Sequence, residues 1–253
     1  IVALPTETVY GLACLALDTN AVAKVFTAKN RPSSDPLIVH VNDLSEAREV
    51  ALLDERAVSL AEAFWPGPLT FVLPKTDRVP HVVTSGLPTV AVRSPAHPVF
   101  QEILRLVGAP LAAPSANPFG KVSPTRAGHI MESFGPDHPP VVDGGPTEVG
   151  IESTVLDLSC STTRILRPGP VSPADIEGIL GTKLVLLGKT NDTKTPENTL
   201  SPGLLPRHYS PASPLRIFPD LSVLLGFLEK EDPPTPETCL LIHAPLEKNE
   251  FLP

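Results

Sequence analysis

Cysteine is scarce in this 253-residue chain: Cys14, Cys160 and Cys239 stand far apart. Three scattered thiols supply neither a disulfide framework nor a zinc cluster, and a reducing, cytoplasmic setting is the simplest fit. Long apolar runs are missing as well. None approaches the roughly 18–20 residues that a membrane-spanning helix needs. Positive charge is also short, since 20 Lys and Arg against 28 Asp and Glu leave a formal net charge of −8. That balance disfavours tight, sequence-independent nucleic-acid binding, which displaces phosphate counterions with a basic face, although a local basic cleft is compatible with it. One Trp and two Tyr offer few platforms for stacking bases. Familiar signatures are missing too. There is no G-x-x-x-x-G-K-[ST] loop and no G-x-G-x-x-G after a strand, and the seven histidines show neither an H-E-x-x-H pair nor zinc spacing.

Proline, by contrast, is abundant, at 32 residues. That is at least roughly twice the usual share of about 5%. Most prolines stand at segment boundaries, as at Pro5, Pro32, Pro36, Pro74, Pro114, Pro168 and Pro206, and should make those stretches extended and stiff. Hydrophobic content of 42% with 19% charged residues is ordinary for a chain with a buried core. The chain begins at Ile1 inside an apolar run and stops at Pro253 without a clear end to the fold, so both native ends are expected to lie beyond it.

Short apolar runs alternate with helical patterns, the signature of an α/β or α+β layer fold. Strands are expected at Ile1–Leu4, Leu37–Val41, Leu69–Leu73, Val90–Arg93, Pro110–Ala113, Val141–Val142, Ser153–Leu158, Arg164–Leu166 and Lys183–Leu187. Helices are expected at Thr19–Lys29, Leu44–Leu52, Glu55–Phe64, Pro98–Val107, Pro124–Phe134 and Pro173–Leu180. Thr19-Asn20 is read as the cap of the first, and Ser172, Pro173 and Asp175 as the start of the last. From Gly188 to about Pro214 the pattern fails and reads as a linker. Beyond it, Leu215–Phe218, Leu221–Leu228 and Cys239–His243 repeat a strand, helix, strand order, the start of a second α/β domain.

Lys29 and Arg31 flank Asn30 where the first helix runs into Pro32. Two readings are open: Lys29 complements the negative end of the helix dipole, or the two cations form an anion site in an acidic protein. Polar clusters recur at strand ends: Pro5-Thr6-Glu7-Thr8, Arg93-Ser94-Pro95, Pro114-Ser115-Ala116-Asn117 and Glu152-Ser153-Thr154. Each alone is common turn or cap chemistry, but together they can line one crevice outside the strand ends of an open sheet. Asp143-Gly144-Gly145 reads as a turn, and Trp65 as packing.

In order along residues 1–187, PTETVYGL (Pro5–Leu12), KNRP (Lys29–Pro32), PLIVHV (Pro36–Val41), WPGPLT (Trp65–Thr70), TVAVR (Thr89–Arg93), APSAN (Ala113–Asn117), ESTVLD (Glu152–Asp157) and LRPGP (Leu166–Pro170) resemble the YrdC-like threonylcarbamoyl-AMP synthase family. SPGLLPRHYSP at Ser201–Pro211 resembles the linker of its two-domain form, with Ser210 at a position where alanine is usual. The resemblance implies a twisted open sheet flanked by helices over residues 1–187, a linker at 188–214 acting as a lid, and over 215–253 the first part of a small Rossmann-like α/β domain. It also implies condensation of L-threonine, bicarbonate or carbon dioxide, and ATP into threonylcarbamoyl-AMP and pyrophosphate. The product would pass to a tRNA threonylcarbamoyl transferase, with direct tRNA contact left open and no membrane role. Mg²⁺ is expected with ATP, held through phosphates and water.

Residue by residue, the resemblance assigns Lys29 and Arg31 to the triphosphate and to catalysis. Ser115, Asn117, Ser123, Ser153, Arg167 and the linker's Tyr209 fall to the nucleotide. Arg93 falls to the threonine carboxylate, and Thr8, His40 and Thr89 to the rest of the amino-acid pocket. Two alternatives stand beside this reading. One is an RNA-binding module of the same fold. The other is a carbamoyl-AMP-forming domain, whose relatives carry zinc fingers and an acylphosphatase module that the sequence lacks.

Overall fold

The computed structural model describes residues 1–186, 218 and 220–228, in a chain that divides into two units, Ile1–Ala212 and Ser213–Pro253. Among the described residues of the first unit, nine strands form one mixed sheet: β1 (Val2–Leu4), β2 (Gly11–Leu15), β3 (Ile38–His40), β4 (Leu69–Pro74), β5 (Thr89–Arg93), β6 (Leu111–Ala112), β7 (Thr154–Asp157), β8 (Arg164–Arg167) and β9 (Val185–Leu186). Their spatial order is β1-β2-β6-β3-β5-β4-β7-β8-β9, with β3–β5, β4–β7 and β8–β9 parallel and the other pairs antiparallel. The helices are α1 (Thr19–Lys29), α2 (Leu44–Val50), α3 (Glu55–Phe64), α4 (His81–Thr84), α5 (Pro98–Val107), α6 (Ala127–Phe134) and α7 (Pro173–Leu180).

Side-chain alternation along the strands sorts residues between two faces. Val39, Phe71, Val92, Leu156 and Ile165 point into the main core, which Val22, Val25 and Phe26 of α1 and Leu60 of α3 complete. Their neighbours Ile38, Val72, Ala91, Val155 and Leu166 form a separate apolar patch on the opposite face. That second face is covered near β1, β2 and β6 by Phe100 and Leu104 of α5, which pack on Leu4, Ala13 and Leu111. His40 and Arg93, two residues after Ile38 and Ala91, share the second face with them.

Local chemistry sets the helix ends. Asp18, one residue before the expected Thr19-Asn20, caps α1 by accepting from the Asn20 and Ala21 backbone N–H groups. Asn30 ends α1 in the left-handed region (φ 51°), and its N–H returns to Thr27 O. Asn tolerates that conformation better than most residues. At α7 the expected capping box is present, with Ser172 and Asp175 each serving the other's backbone and Pro173 at the first position.

Strand β2, helix α4 and a 3-10 turn at Gly135–Asp137 lie outside the sequence expectations, while Val141 makes an isolated bridge to Ala3 where a strand was expected. In the second unit the described part is α8 (Leu221–Leu228), as expected, with the Phe218 ring 5.1 Å from that of Phe227. The linker at 188–214, Tyr209 within it, and the remainder of the expected C-terminal domain fall outside the described residues.

Candidate functional site

The left-handed turn at Asn30 sends its two flanking cations apart. Lys29, 1% exposed, donates its ammonium to Ser115 O at 2.5 Å and to Asn117 O. Burial pushes this amine well below its ordinary range, and Arg31 adds to the shift. Arg31 instead folds onto the following turn, donating Nε to Asp35 O (3.0 Å) and Nη2 to Pro36 O (2.8 Å), with the Asp35 carboxylate 2.8 Å away. Its guanidinium lies 5.8 Å from the Phe119 ring centre. Burial raises the Asp35 carboxyl, and Arg31 opposes that shift.

A second cluster forms where the Pro5–Thr8 turn meets the end of β5. Arg93 donates Nε to Gly67 O (3.1 Å) and Nη1 to Thr8 Oγ1 (2.9 Å), while Nη2 pairs with Glu7 Oε1 at 2.5 Å. Both charged groups are buried, and Glu7 Oε2 accepts from Ala96 N (3.1 Å). Burial lowers the Arg93 pKa, with Glu7 working against that shift. Gly67 is required by close approach: a Cβ there would stand 2.2 Å from Phe64 O. At the end of β3, His40 is buried, with its ring 5.1 Å from that of Phe100. Burial, with Arg93 nearby, pushes His40 down to about 3, so the imidazole is neutral at physiological pH.

A third cluster gathers around Ser153. Its hydroxyl lies 2.8 Å from Thr70 Oγ1, and Arg167 donates Nη2 to both its carbonyl (2.9 Å) and its hydroxyl (3.1 Å). Ser123 donates to Glu152 Oε1 at 2.5 Å. Asn117 uses its side-chain amide within its own loop, donating to Pro118 O and Lys121 O.

The three clusters surround one pocket on the second face, enclosing about 510 Å³ with its open mouth included. Thr8, Arg31, His40, Arg93, Ser115, Ser153 and Arg167 line it, so seven of the expected site residues converge. The crevice expected outside the strand ends thus extends across the sheet face, down to Gly11 and Ile38.

Other expected residues lie elsewhere. Thr89 corrects the sequence expectation, since it opens β5, pairs with Pro74, and sits the length of the strand away from Arg93. Lys29 and Asn117 stand behind the Ser115 loop rather than on the pocket wall, and Ser123 reaches the wall through Glu152. A lysine held by two carbonyls positions that loop, which differs from the expected point charge on phosphate. Sequence reading placed Glu7, Glu152 and Thr6 in strand-end polar clusters but gave none of them a role of its own. Glu7 carried a signal, because a buried arginine at a strand end needs a carboxylate and the Pro5–Thr8 cluster held one.

Comparison with known proteins gives the following. The Sua5, YciO and YrdC family model, described as "Telomere recombination", matches residues 1–169. The threonylcarbamoyl-AMP synthase of Pyrococcus abyssi is 46% identical over 217 residues, covering 84% of this chain and 62% of that protein. The Bacillus subtilis threonylcarbamoyl-AMP synthase is 45% identical over 219 residues, covering 86% and 62%. The crystal structure of P. abyssi Sua5 complexed with L-threonine aligns with a TM-score of 0.79 at 46% identity, over 84% of this chain and 62% of that one. The chain spans 62% of the length of these relatives.

Proposed function

The chain belongs to the Sua5/YciO/YrdC family, and from that premise we propose that it is an L-threonylcarbamoyladenylate synthase, a nucleotidyltransferase that makes threonylcarbamoyl-AMP and pyrophosphate from L-threonine, bicarbonate or carbon dioxide, and ATP. The observation that carries the proposal is the convergence of Arg31, Arg93 and Arg167 on one pocket of an acidic chain. L-Threonine carries a carboxylate and ATP a triphosphate, and guanidinium groups hold carboxylate and phosphate oxygens in a fixed fork.

In this reading the amine of threonine attacks carbon dioxide, and a carbamate oxygen then attacks the α-phosphorus of ATP, expelling pyrophosphate. Such chemistry depends mainly on positioning and on neutralising charge at phosphate oxygens. Arg93, braced by Glu7 and Gly67, holds the amino-acid carboxylate. Arg31 and Arg167 face the phosphates, with Ser115 and Ser153 supplying hydroxyls on the pocket wall. Neutral His40 adds a hydrogen-bonding group without a positive charge that would repel the amine. Lys29 and Asn117 keep the Ser115 loop in shape.

Tyr209 keeps the closing role that the resemblance gives it. Mg²⁺ would come with ATP, held mainly through its phosphates and water, and Glu152 is the carboxylate among the described pocket-lining residues that could meet it. The product goes to a tRNA threonylcarbamoyl transferase in the cytoplasm.

The test is pyrophosphate release measured with each substrate withheld in turn. Release should require ATP, L-threonine and bicarbonate together. A rate unchanged by omitting threonine defeats the proposal.

A further inference from the structure

Thr6 and Thr8 form a chain of hydroxyls whose proton directions are fixed by their surroundings. Thr6 Oγ1 lies 2.6 Å from Val9 O, a carbonyl that can only accept, so the single Thr6 hydroxyl proton is spent there. The Thr8 and Val9 backbone N–H groups lie farther from Thr6 Oγ1, both at 3.2 Å and at the weak end of hydrogen bonding, so a shorter contact has first claim on one of its two lone pairs. The Thr8 hydroxyl stands 2.8 Å from it. Two hydroxyl oxygens at that distance repel unless a proton lies between them, and Thr6 has none left to give. The 2.6 Å contact to a carbonyl and the 2.8 Å contact between the hydroxyls are met together when Thr8 donates to Thr6. On its other side Thr8 Oγ1 accepts from Arg93 Nη1 at 2.9 Å.

We infer that Thr6 is a positioning residue that makes Thr8 an obligate hydrogen-bond acceptor toward the pocket. With its proton committed, Thr8 offers a ligand only lone-pair density. A carboxylate or phosphate oxygen is rejected there, and an N–H or O–H is welcomed. Five N–H groups leave Arg93; three are taken by Gly67, Thr8 and Glu7 among the described residues, and two stay for an acid group. The turn thus sorts the two ends of an amino acid, placing its acid group on Arg93 and its amine or side-chain hydroxyl on Thr8. Thr6 and Thr8 are both buried pocket residues, so the bond from ligand to Thr8 forms away from competing water.

The inference rests on the threonine-using reading above, and the experiment separates the two. Steady-state pyrophosphate release by the full-length protein is compared for wild type, Thr6→Val, Thr6→Ser, Thr8→Val and the Thr6→Val/Thr8→Val double variant. Thr6→Val frees the Thr8 proton and should raise KM for L-threonine roughly five- to tenfold, with kcat and KM for ATP within about twofold of wild type. Thr6→Ser, which keeps the acceptor, should restore the wild-type value. In a Thr8→Val background, Thr6→Val should add nothing, because its only route to the ligand is gone.

Inhibition by L-valine, which keeps the amine and replaces the hydroxyl with a methyl group, separates the two donors. A Thr6→Val effect on L-valine assigns the amine to Thr8, and an effect confined to L-threonine assigns the hydroxyl. If circular dichroism shows Thr6→Val unfolded, Thr6→Ala takes its place in every comparison. A folded Thr6 variant with wild-type KM for threonine, or additive effects in the double variant, overturns the inference while leaving the activity intact. A wild-type rate indifferent to threonine overturns the parent reading and the inference with it.

Discussion

At the scale of single residues, His40 links the pocket to pH. Its ordinary value of 6.5 falls to about 3 in the folded protein, mainly through burial, with Arg93 contributing. Below about pH 6.5 the unfolded chain binds a proton that the folded chain refuses, so stability present above that point drains as pH falls toward 3. The urea midpoint should drop more steeply between pH 6.5 and 5 for wild type than for His40→Gln, and parallel curves would remove His40 from the account. Lys29 shows how far a residue is legible in sequence. Its position at a helix end suggested either dipole complementation or an anion site, and the carbonyls of Ser115 and Asn117 that bind it lie 86 and 88 residues further along the chain. Only the tertiary fold brings them together. Thr89 failed for the opposite reason: adjacency to Arg93 in one motif does not place both ends of an extended strand in one pocket.

At the scale of elements, the helices were read closely because amphipathic spacing and terminal residues mark them. Thr19–Lys29, Glu55–Phe64, Pro98–Val107 and Pro173–Leu180 carry their expected bounds. Strand β2 escaped notice because its largely apolar GLACL run lacks polar alternation, and α4 because one turn of helix is too short to show a period. The connection from α3 to β4 has a testable role. Gly67 lets the chain pass Phe64 O while offering its own carbonyl to Arg93 Nε. Gly67→Ala forces the backbone to move and should cost about 1–3 kcal/mol in urea unfolding, a usual range for overpacking. It should also weaken L-threonine binding by calorimetry. A variant with wild-type stability and wild-type threonine affinity would show that this close approach carries no function.

At the scale of the molecule, a chain with a formal net charge of −8 carries a pocket lined by three arginines. Such a field suits small anions better than a polyanion, whose many phosphates would meet the acidic surface as well. Single-stranded RNA should therefore show negligible filter retention at about 0.15 M salt, and tight retention with a steep salt slope would revive the RNA-binding alternative. The layered α/β character of the first unit was legible in alternating apolar runs, and the resemblance supplied its open sheet. The strand order was not legible, because a mixed sheet is fixed by long-range pairing rather than by local pattern. That order also bears on how the chain assembles. The pocket wall takes Thr8 from the turn before β2, His40 from β3, Arg93 from β5, Ser115 from beyond β6 and Arg167 from β8. High contact order slows folding, since distant segments must close large loops before they gain from meeting. No early hairpin holds even half of these groups, so ligands cannot template the first steps of folding, and binding competence arrives only with the completed sheet.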